Sequence, residues 1–460
     1  MLNKVVVVRD GVNDAGIKAG KGKIAMLALF MFVLLIPVHP LIGGLRMDPY
    51  RLFFIIIYIP MLIKLFSGQA GKVNASDKLI FLYCGWVILS FTVNHGFEHF
   101  AYSVVWVMEL SGGYILGRLL VRSISDYRRF VRFHVVAILA MAPLAFYEML
   151  TNHMVIAEFL GKFLPATQKN FADRFGLSRV QVVFPHSILF GLYCSIAVAN
   201  IFYYAQEKLF RRLILLVGVV AVTFTSLSSA PLLSVLLQSL LSGYDKVTKG
   251  NWKILMVLAA IAYVIVASIS NRSPLVIIIE KLTLDPQTGW YRIHIWRYGM
   301  LNVWANPIFG LGFRGWIRPD WLTSSVDNFW LLNAMRNGIP AFLLLAAAMI
   351  VHSARVVRAT LATDLEKNIR TGYMIVLFGI VFTLTTVHVW DALAVFIMFY
   401  IGIGAFFYNN IGTGQPAEMA EADPEQTIAP EAGPAVTEQG TRLAKSSRTP
   451  KDYRMTVKKM

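Results

Sequence analysis

The sequence predicts an all-α polytopic membrane protein, with about 12 transmembrane helices and two long extracytoplasmic loops containing short interfacial helices. Three observations predict it. Of 460 residues, 57% are hydrophobic and only 15% charged, well below the roughly 25% charged residues of an ordinary soluble domain. The apolar residues come in repeated runs of about 17 to 22, long enough as helices to cross a bilayer core of about 30 Å. Most of the 43 Lys and Arg fall in every second polar break or in the two termini, which is the pattern of the positive-inside rule.

Reading apolar runs against polar breaks gives spans at 24–42, 51–67, 79–95, 100–121, 131–149, 187–205, 211–228, 230–244, 253–270, 338–354, 371–388 and 391–408. The first run, "IAMLALFMFVLLIPVHPLIGG", follows a mostly polar stretch and has no small-residue cleavage pattern. It therefore reads as a retained span and not a signal peptide. The seventh and eighth spans meet at "TFTSLSSAPLLS", whose hydroxyls can satisfy backbone groups around Pro231 in a tight hairpin. With residues 1–23 in the cytoplasm, the breaks "LVRSISDYRRFVR", "EKLFRR", "DKVTKGNWK" and "ARVVRATLATDLEKNIR" are cytoplasmic, and so are both termini. Residues 24–408 form the transmembrane domain. The tail 409–460, rich in Ala, Pro, Glu and Gly, reads as disordered, with a basic end able to touch anionic headgroups. Cys84 and Cys194 lie inside apolar runs and read as buried thiols, with no disulfide framework or metal-ligand set. The net charge of +17 reflects this topology, and no nucleic-acid partner is expected.

Two outer breaks, 150–186 and 271–337, are long, and long irregular loops tend to carry function. On a helical wheel at about 100° per residue, Trp290, Ile293, Trp296, Met300, Leu301 and Trp304 share one arc, the pattern of an interfacial amphipathic helix. Asp285 and Pro286 suit its N-cap and first turn. Arg297 falls inside the apolar arc, with Arg292 and His294 at its edges. An arginine on an apolar face calls for a partner, and its planar fork suits a phosphate. The competing reading is snorkelling into the headgroup layer, which suits Arg314 and Arg318 better.

The first loop offers Arg174 and Arg179 ahead of Pro185 and His186, at the mouth of the sixth span. Two arginines on each loop can make a clamp for a diphosphate; the competing reading, which the residues alone favour, is a solvated basic loop. In "SSVDNFWLLNAMRNGIPAF", Asp327 suits the N-cap of a short helix whose Arg336 faces its negative end before Gly338 and Pro340. The alternative for Asp327 is an acid/base role. Glu109 is the one acid deep in a span, a functional candidate or a structural residue paired with an arginine.

Three stretches, in this order, resemble the O-antigen ligase and polymerase superfamily of bacterial surface-polysaccharide assembly. Arg179 with a following aromatic, Pro185–His186 and Gly191 is similar to its Arg…Phe-x-His-Pro…Gly region. "RIHIWRYGMLNVWANPIFGLGF" looks like its Arg…Trp…Asn-Pro-x-x-Gly-x-Gly segment, here Asn306, Pro307, Gly310 and Gly312. "DNFWLLNAMRNGI" is similar to its His/Asp-Asn-x-x-Leu…Gly-Ile turn, here Asp327, Asn328, Leu331, Gly338 and Ile339. The plan of spans agrees over about residues 20–410. Asp327 stands where ligases of the family usually carry His, which favours a polymerase of the exopolysaccharide or O-antigen type. His-Pro is inverted to Pro185–His186, and Ser228–Ser229 replaces the family's Ser-Arg.

The resemblance implies an inverting glycosyl transfer without metal or other cofactor at the outer face of the bacterial cytoplasmic membrane. The donor is a saccharide on undecaprenyl diphosphate, held by Arg179, Arg292 and Arg297 with Arg174 nearby, and the base is Asp327, His294 or His186. Partners are the lipid-linked glycan, the bilayer, and a chain-length regulator or export machinery. The alternatives are a ligase that transfers finished glycan to lipid A core, and a transporter or flippase of polysaccharide precursors.

Overall fold

The computed structural model describes residues 20–169, 173–204, 209–269, 277 and 286–409. The tail, most of the N-terminal segment and Asp285 lie outside these. Among the described residues the chain is helical apart from two hairpins of two-residue strands. After α1 (Lys21–Val33) comes the hairpin β1 (Leu41–Ile42) and β2 (Leu45–Arg46). The helices α2 (Pro49–Phe66), α3 (Ala75–His95), α4 (Phe100–Leu120), α5 (Ile124–Thr151) and α6 (Val155–Leu160) follow. The second hairpin is β3 (Asp173–Arg174) and β4 (Leu177–Ser178). Then come α7 (Ser187–Ser195), α8 (Val198–Tyr204), α9 (Leu209–Thr225), α10 (Ser229–Thr248), α11 (Trp252–Ile269) and α12 (Pro286–Ala305). The chain closes with α13 (Phe329–Arg358), α14 (Asp364–Leu384), α15 (Asp391–Ile403) and α16 (Phe406–Asn409).

Eight helical segments among the described residues are long and apolar enough to cross a membrane: α2, α3, α5, α7 with α8, α11, α13, α14, and α15 with α16. This suits an all-α membrane protein. Each predicted span overlaps a helix, but α1, α4, α9 and α10 are too short or too polar to meet that description. The expected first span is the clearest departure. Its helix ends at Val33, because Pro37 and Pro40 interrupt helical hydrogen bonding and Gly43 and Gly44, both at positive φ, turn the chain into the hairpin.

Helix starts follow their capping residues. Asn74 with Asp77 and Thr363 with Glu366 form capping boxes on α3 and α14. In the core α4 lies against α15 with almost no side chain between them. A Cβ at Gly117 would stand 2.3 Å from the Phe399 carbonyl oxygen, and one at Gly402 2.0 Å from that of Tyr114. Interior charges are paired: Arg118 with Asp77, both fully buried, and Arg51 with Glu109. Glu109 is thus an arginine-paired acid inside the bundle. Cys84 and Cys194 are buried free thiols.

Helix α13 is broken at Gly338 (φ 83, ψ 170). The break leaves carbonyls of the first half without helical partners, and the loop after α12 supplies them. Leu311 N–H donates to the Met335 carbonyl (2.7 Å) and Gly312 N–H to that of Arg336 (2.9 Å), while Ile339 N–H donates to Pro307 (2.8 Å). Trp86 of α3 donates to the Asn337 carbonyl (2.9 Å) and stacks on Phe309 (5.5 Å, 4°). A Cβ at Gly338 would stand 1.8 Å from the Ile308 carbonyl oxygen. Gly338→Ala therefore lowers stability by about 3 kcal/mol. Gly243→Ala in α10, where a Cβ meets nothing within 4 Å, leaves it unchanged or raises it by up to about 1 kcal/mol. The melting temperatures of the two purified variants in detergent check this.

Candidate functional site

One end of the bundle gathers the C-terminal end of α5, the N-termini of α7, α10, α13 and α15, and the inner face of α12. The β3–β4 hairpin turns at Phe175 and Gly176, both at positive φ, and carries Arg174. Arg179 follows β4. The acid that organises this turn is Glu148, near the end of α5 and fully buried. Its carboxylate accepts from the backbone N–H groups of Gln181 and Val182, both at 2.8 Å, and pairs with Lys169. Lys169 also donates to the Arg179 carbonyl (2.9 Å). These contacts hold Val182 at φ 53, a conformation a β-branched residue adopts only under constraint. Asn152, itself in the left-handed region, accepts from the Ser178 hydroxyl (2.6 Å).

The α9–α10 turn predicted as a tight hairpin forms the opposite wall. Leu227 is at φ 43, and its carbonyl accepts from the Arg174 guanidinium (3.0 Å). Arg179 donates to the Ser228 hydroxyl (2.9 Å). Ser228 is the N-cap of α10 and makes no side-chain capping bond. His186 caps α7 by accepting from Ile188 N–H at Nδ1 (3.1 Å). Two helix N-termini thus open beside two arginines, an arrangement suited to an anion.

From the third side comes Arg292. The inner face of α12 is set by Ile295, Gly299 and Asn302, with Gly299 close under Leu331 of α13, and Arg292 lies one turn before Ile295. Its charge interacts with the Asp327 carboxylate and the Arg174 guanidinium. Neither Arg174, Arg179 nor Arg292 has a carboxylate within ion-pair distance among the described residues, and the Nε atoms of Arg179 and Arg292 are buried without a hydrogen bond. The arginines feel one another. Burial, then Arg174, brings the Arg179 guanidinium down to about 10. Burial, then Arg179 and Arg174, brings the His186 imidazole down to about 4. Burial raises the Asp327 carboxyl above its ordinary value, opposed by Arg292 and the Ser325 hydroxyl.

Beyond Asp327 lies a cavity of about 440 Å³, lined among others by Asp327, Arg314, Arg318, Arg336, His388 and Trp390. His388 is sandwiched between Phe329 (6.2 Å, 17°) and Trp390 (5.7 Å, 23°). Burial, then Arg336, pushes its imidazole down to about 3. Trp390, which lines the cavity, also meets the His186 ring at 6.1 Å.

The structure brings together Arg174, Arg179, His186, Arg292 and Asp327. Arg297 and His294 stand apart. The arc of tryptophans on α12 faces outward, with Trp290, Trp296 and Trp304 at 45%, 53% and 66% exposure. Arg297, within that arc, is exposed with them. His294 packs between Trp290 (4.1 Å) and Trp321 (5.1 Å). The expected capping role of Asp327 is also corrected: Asn328 caps α13, accepting from Leu331 N–H at 2.9 Å, which leaves the Asp327 carboxylate for the site. Sequence reasoning missed Glu148, His388 and Trp390, and saw Arg336 only as a helix-end charge. Glu148 had a signal, an acid in the last turn of an apolar span. His388 and Trp390 had none, because they precede the last span, far along the chain from both loops. No family model matches the chain, and no curated protein matches it.

Glu148→Gln lowers stability by about 2 kcal/mol through loss of charged hydrogen bonds. Melting curves of the purified variant and the wild type decide it. The histidines add a pH slope. Below about pH 6.5 the unfolded imidazole of His388 takes a proton that the folded one refuses until about pH 3. The unfolded state thus binds more protons in that window, and stability falls as pH is lowered through it. His388→Phe removes this term, so its melting temperature falls less steeply than the wild type's between pH 6.5 and 4.

Proposed function

We propose that the chain is an inverting glycosyltransferase that polymerises repeat units carried on a lipid diphosphate, at the outer face of a bacterial cytoplasmic membrane. One observation carries the reading: Arg174, Arg179 and Arg292, none of them ion-paired among the described residues, gather beside two helix N-termini, and Arg292 faces the half-buried carboxyl of Asp327 at the edge of a cavity. Confining three cations without counter-ions costs stability, and an anionic ligand removes that cost. A diphosphate supplies several charged acceptors at once, matched to guanidinium forks and helix N-termini. The positive-inside distribution supports an outer side for this end of the bundle, and the exposed tryptophans of α12 suit the headgroup layer. In this reading α1, α4, α9 and α10 join the eight long apolar helices in the membrane, and both termini are cytoplasmic. The order of motifs, which resembles that of the O-antigen ligase and polymerase superfamily, supports the same reaction class, and Asp at position 327 supports a polymerase over a ligase.

The residues then take these roles. Arg174, Arg179 and Arg292 hold the diphosphate and stabilise the charge growing on it as the anomeric C–O bond breaks. An acceptor hydroxyl from the cavity side attacks the anomeric carbon from the opposite face, and its proton passes to Asp327. A raised carboxyl is the better base of its kind. The diphosphate leaves with the bonding electron pair.

The test is complementation of a deletion strain at matched membrane expression, with lipid-linked glycans and polymer sized together. Arg179→Ala, Arg292→Ala and Asp327→Asn accumulate single lipid-linked units and lose polymer by about 100-fold or more, while Arg297→Ala polymerises normally. Normal polymer from both Arg179→Ala and Arg292→Ala overturns the reading, and accumulated full-length lipid-linked polymer makes the chain a ligase.

A further inference from the structure

We infer that the cavity beyond Asp327 recognises a carboxylate-bearing sugar, so that the repeat unit handled here is acidic; this rests on the glycosyltransferase reading above. The cavity is distinct from the arginine cluster. Its lining includes Asp327 and Trp390 but none of Arg174, Arg179 and Arg292. Its volume of about 440 Å³ falls in the range of roughly 300–1,000 Å³ of small-molecule sites, with room for a short oligosaccharide.

Three guanidiniums line it against one carboxylate. Arg314 is tied to the Asn94 side chain and the Leu311 carbonyl, and Arg318 to the Leu322 carbonyl (2.9 Å). Arg336 has no hydrogen bond or ion pair among the described residues, and its guanidinium stands 5.7 Å over the Phe313 ring. The backbone around Arg336 is the most constrained in the site: its carbonyl is bonded by Gly312 N–H, and a Cβ at Gly310 would stand 2.5 Å from its carbonyl carbon. A guanidinium carried on a fixed backbone, with no protein hydrogen bond among the described residues, suits a planar carboxylate taken in two parallel hydrogen bonds. Phe313, Trp316 and Trp390 supply flat apolar faces for sugar rings.

Carboxylate fits better than phosphate. Arg336 lies at the C-terminal, negative end of a helix half, which disfavours a multiply charged anion, whereas the helix N-termini that favour one lie at the other cluster. In the proposed reaction the cavity holds the sugar beside the reacting hydroxyl, and Arg336 reads its acid group.

The experiment uses membranes containing the full chain and the host's own lipid-linked repeat unit, either native or with its carboxyl groups reduced to hydroxymethyl. Expected are an acidic sugar in the unit, elongation of the reduced unit about 10- to 100-fold slower by the wild type, and equally slow use of both units by Arg336→Met. A repeat unit without carboxylate, or equal use of both units by the wild type, overturns the inference, and neither outcome depends on the folding of a variant. Arg179→Ala is run in parallel. If it abolishes polymer while the wild type uses both units equally, the polymerase stands and only the acid-recognition step falls. If it and Arg292→Ala both polymerise normally, the function beneath both falls.

Discussion

A helix that stops inside an apolar bundle must find partners for its freed carbonyls, because no water is there to take them. In α13 that requirement is met at Gly338 by the loop after α12, whose backbone N–H groups bond the Met335 and Arg336 carbonyls. The rest of the site depends on this junction. It fixes Arg336 at the rim of the cavity, sets the direction in which α13 leaves Asn328, and packs α12 so that Arg292 faces Asp327. Gly310 is there because two backbones meet with no space for a Cβ, and Gly312 because the His95 ring fills that space. Their chemistry is that of a joint, and the joint aims the arginines.

Charges follow two rules in this molecule. Within the bundle they are paired: Asp77 with Arg118, Glu109 with Arg51, Glu148 with Lys169. At the site they are left open, with Arg174, Arg179, Arg292 and Arg336 lacking carboxylate partners among the described residues. Buried unpaired charge costs far more than paired charge, so the contrast is not an accident of composition. Glu148 shows how the two rules cooperate. Its negative charge is spent on Lys169 and on two backbone N–H groups, so it holds the Arg179 turn in place without neutralising the arginine.

The helical content and most span positions were legible in the sequence, because apolar runs of bilayer length have few other uses. Of the arginines that the two outer loops offer, Arg174, Arg179 and Arg292 come near one another, whereas Arg297 does not. What was not legible came from orientation. The helical wheel of α12 placed Trp290, Trp296, Trp304 and Arg297 on one arc but could not say whether that arc faced protein or surroundings. Exposure of the tryptophans settles it, and Arg297 goes outward with them. The choice between Asp327 and Asn328 as the cap of α13 was a one-residue question, below the precision with which sequence fixes a helix start. His388 and Trp390 reach the cavity only through tertiary packing.

Strain marks the same place as charge. Among non-glycine residues at positive φ, Val182 and Leu227 border Arg179 and Arg174, and Asp391 follows Trp390. Each is held from outside: Val182 by Glu148, Leu227 through its carbonyl by Arg174, Asp391 by Arg46 (2.8 Å). Arg46 is itself fixed on Asp48, which also accepts from Tyr50 and His39. The β1–β2 hairpin, which replaced the end of the expected first span, therefore supports the wall that carries Trp390. Such backbone states persist only where surrounding contacts over-determine them. The cost falls on three turns that aim side chains at one small volume, while the helices behind them stay regular.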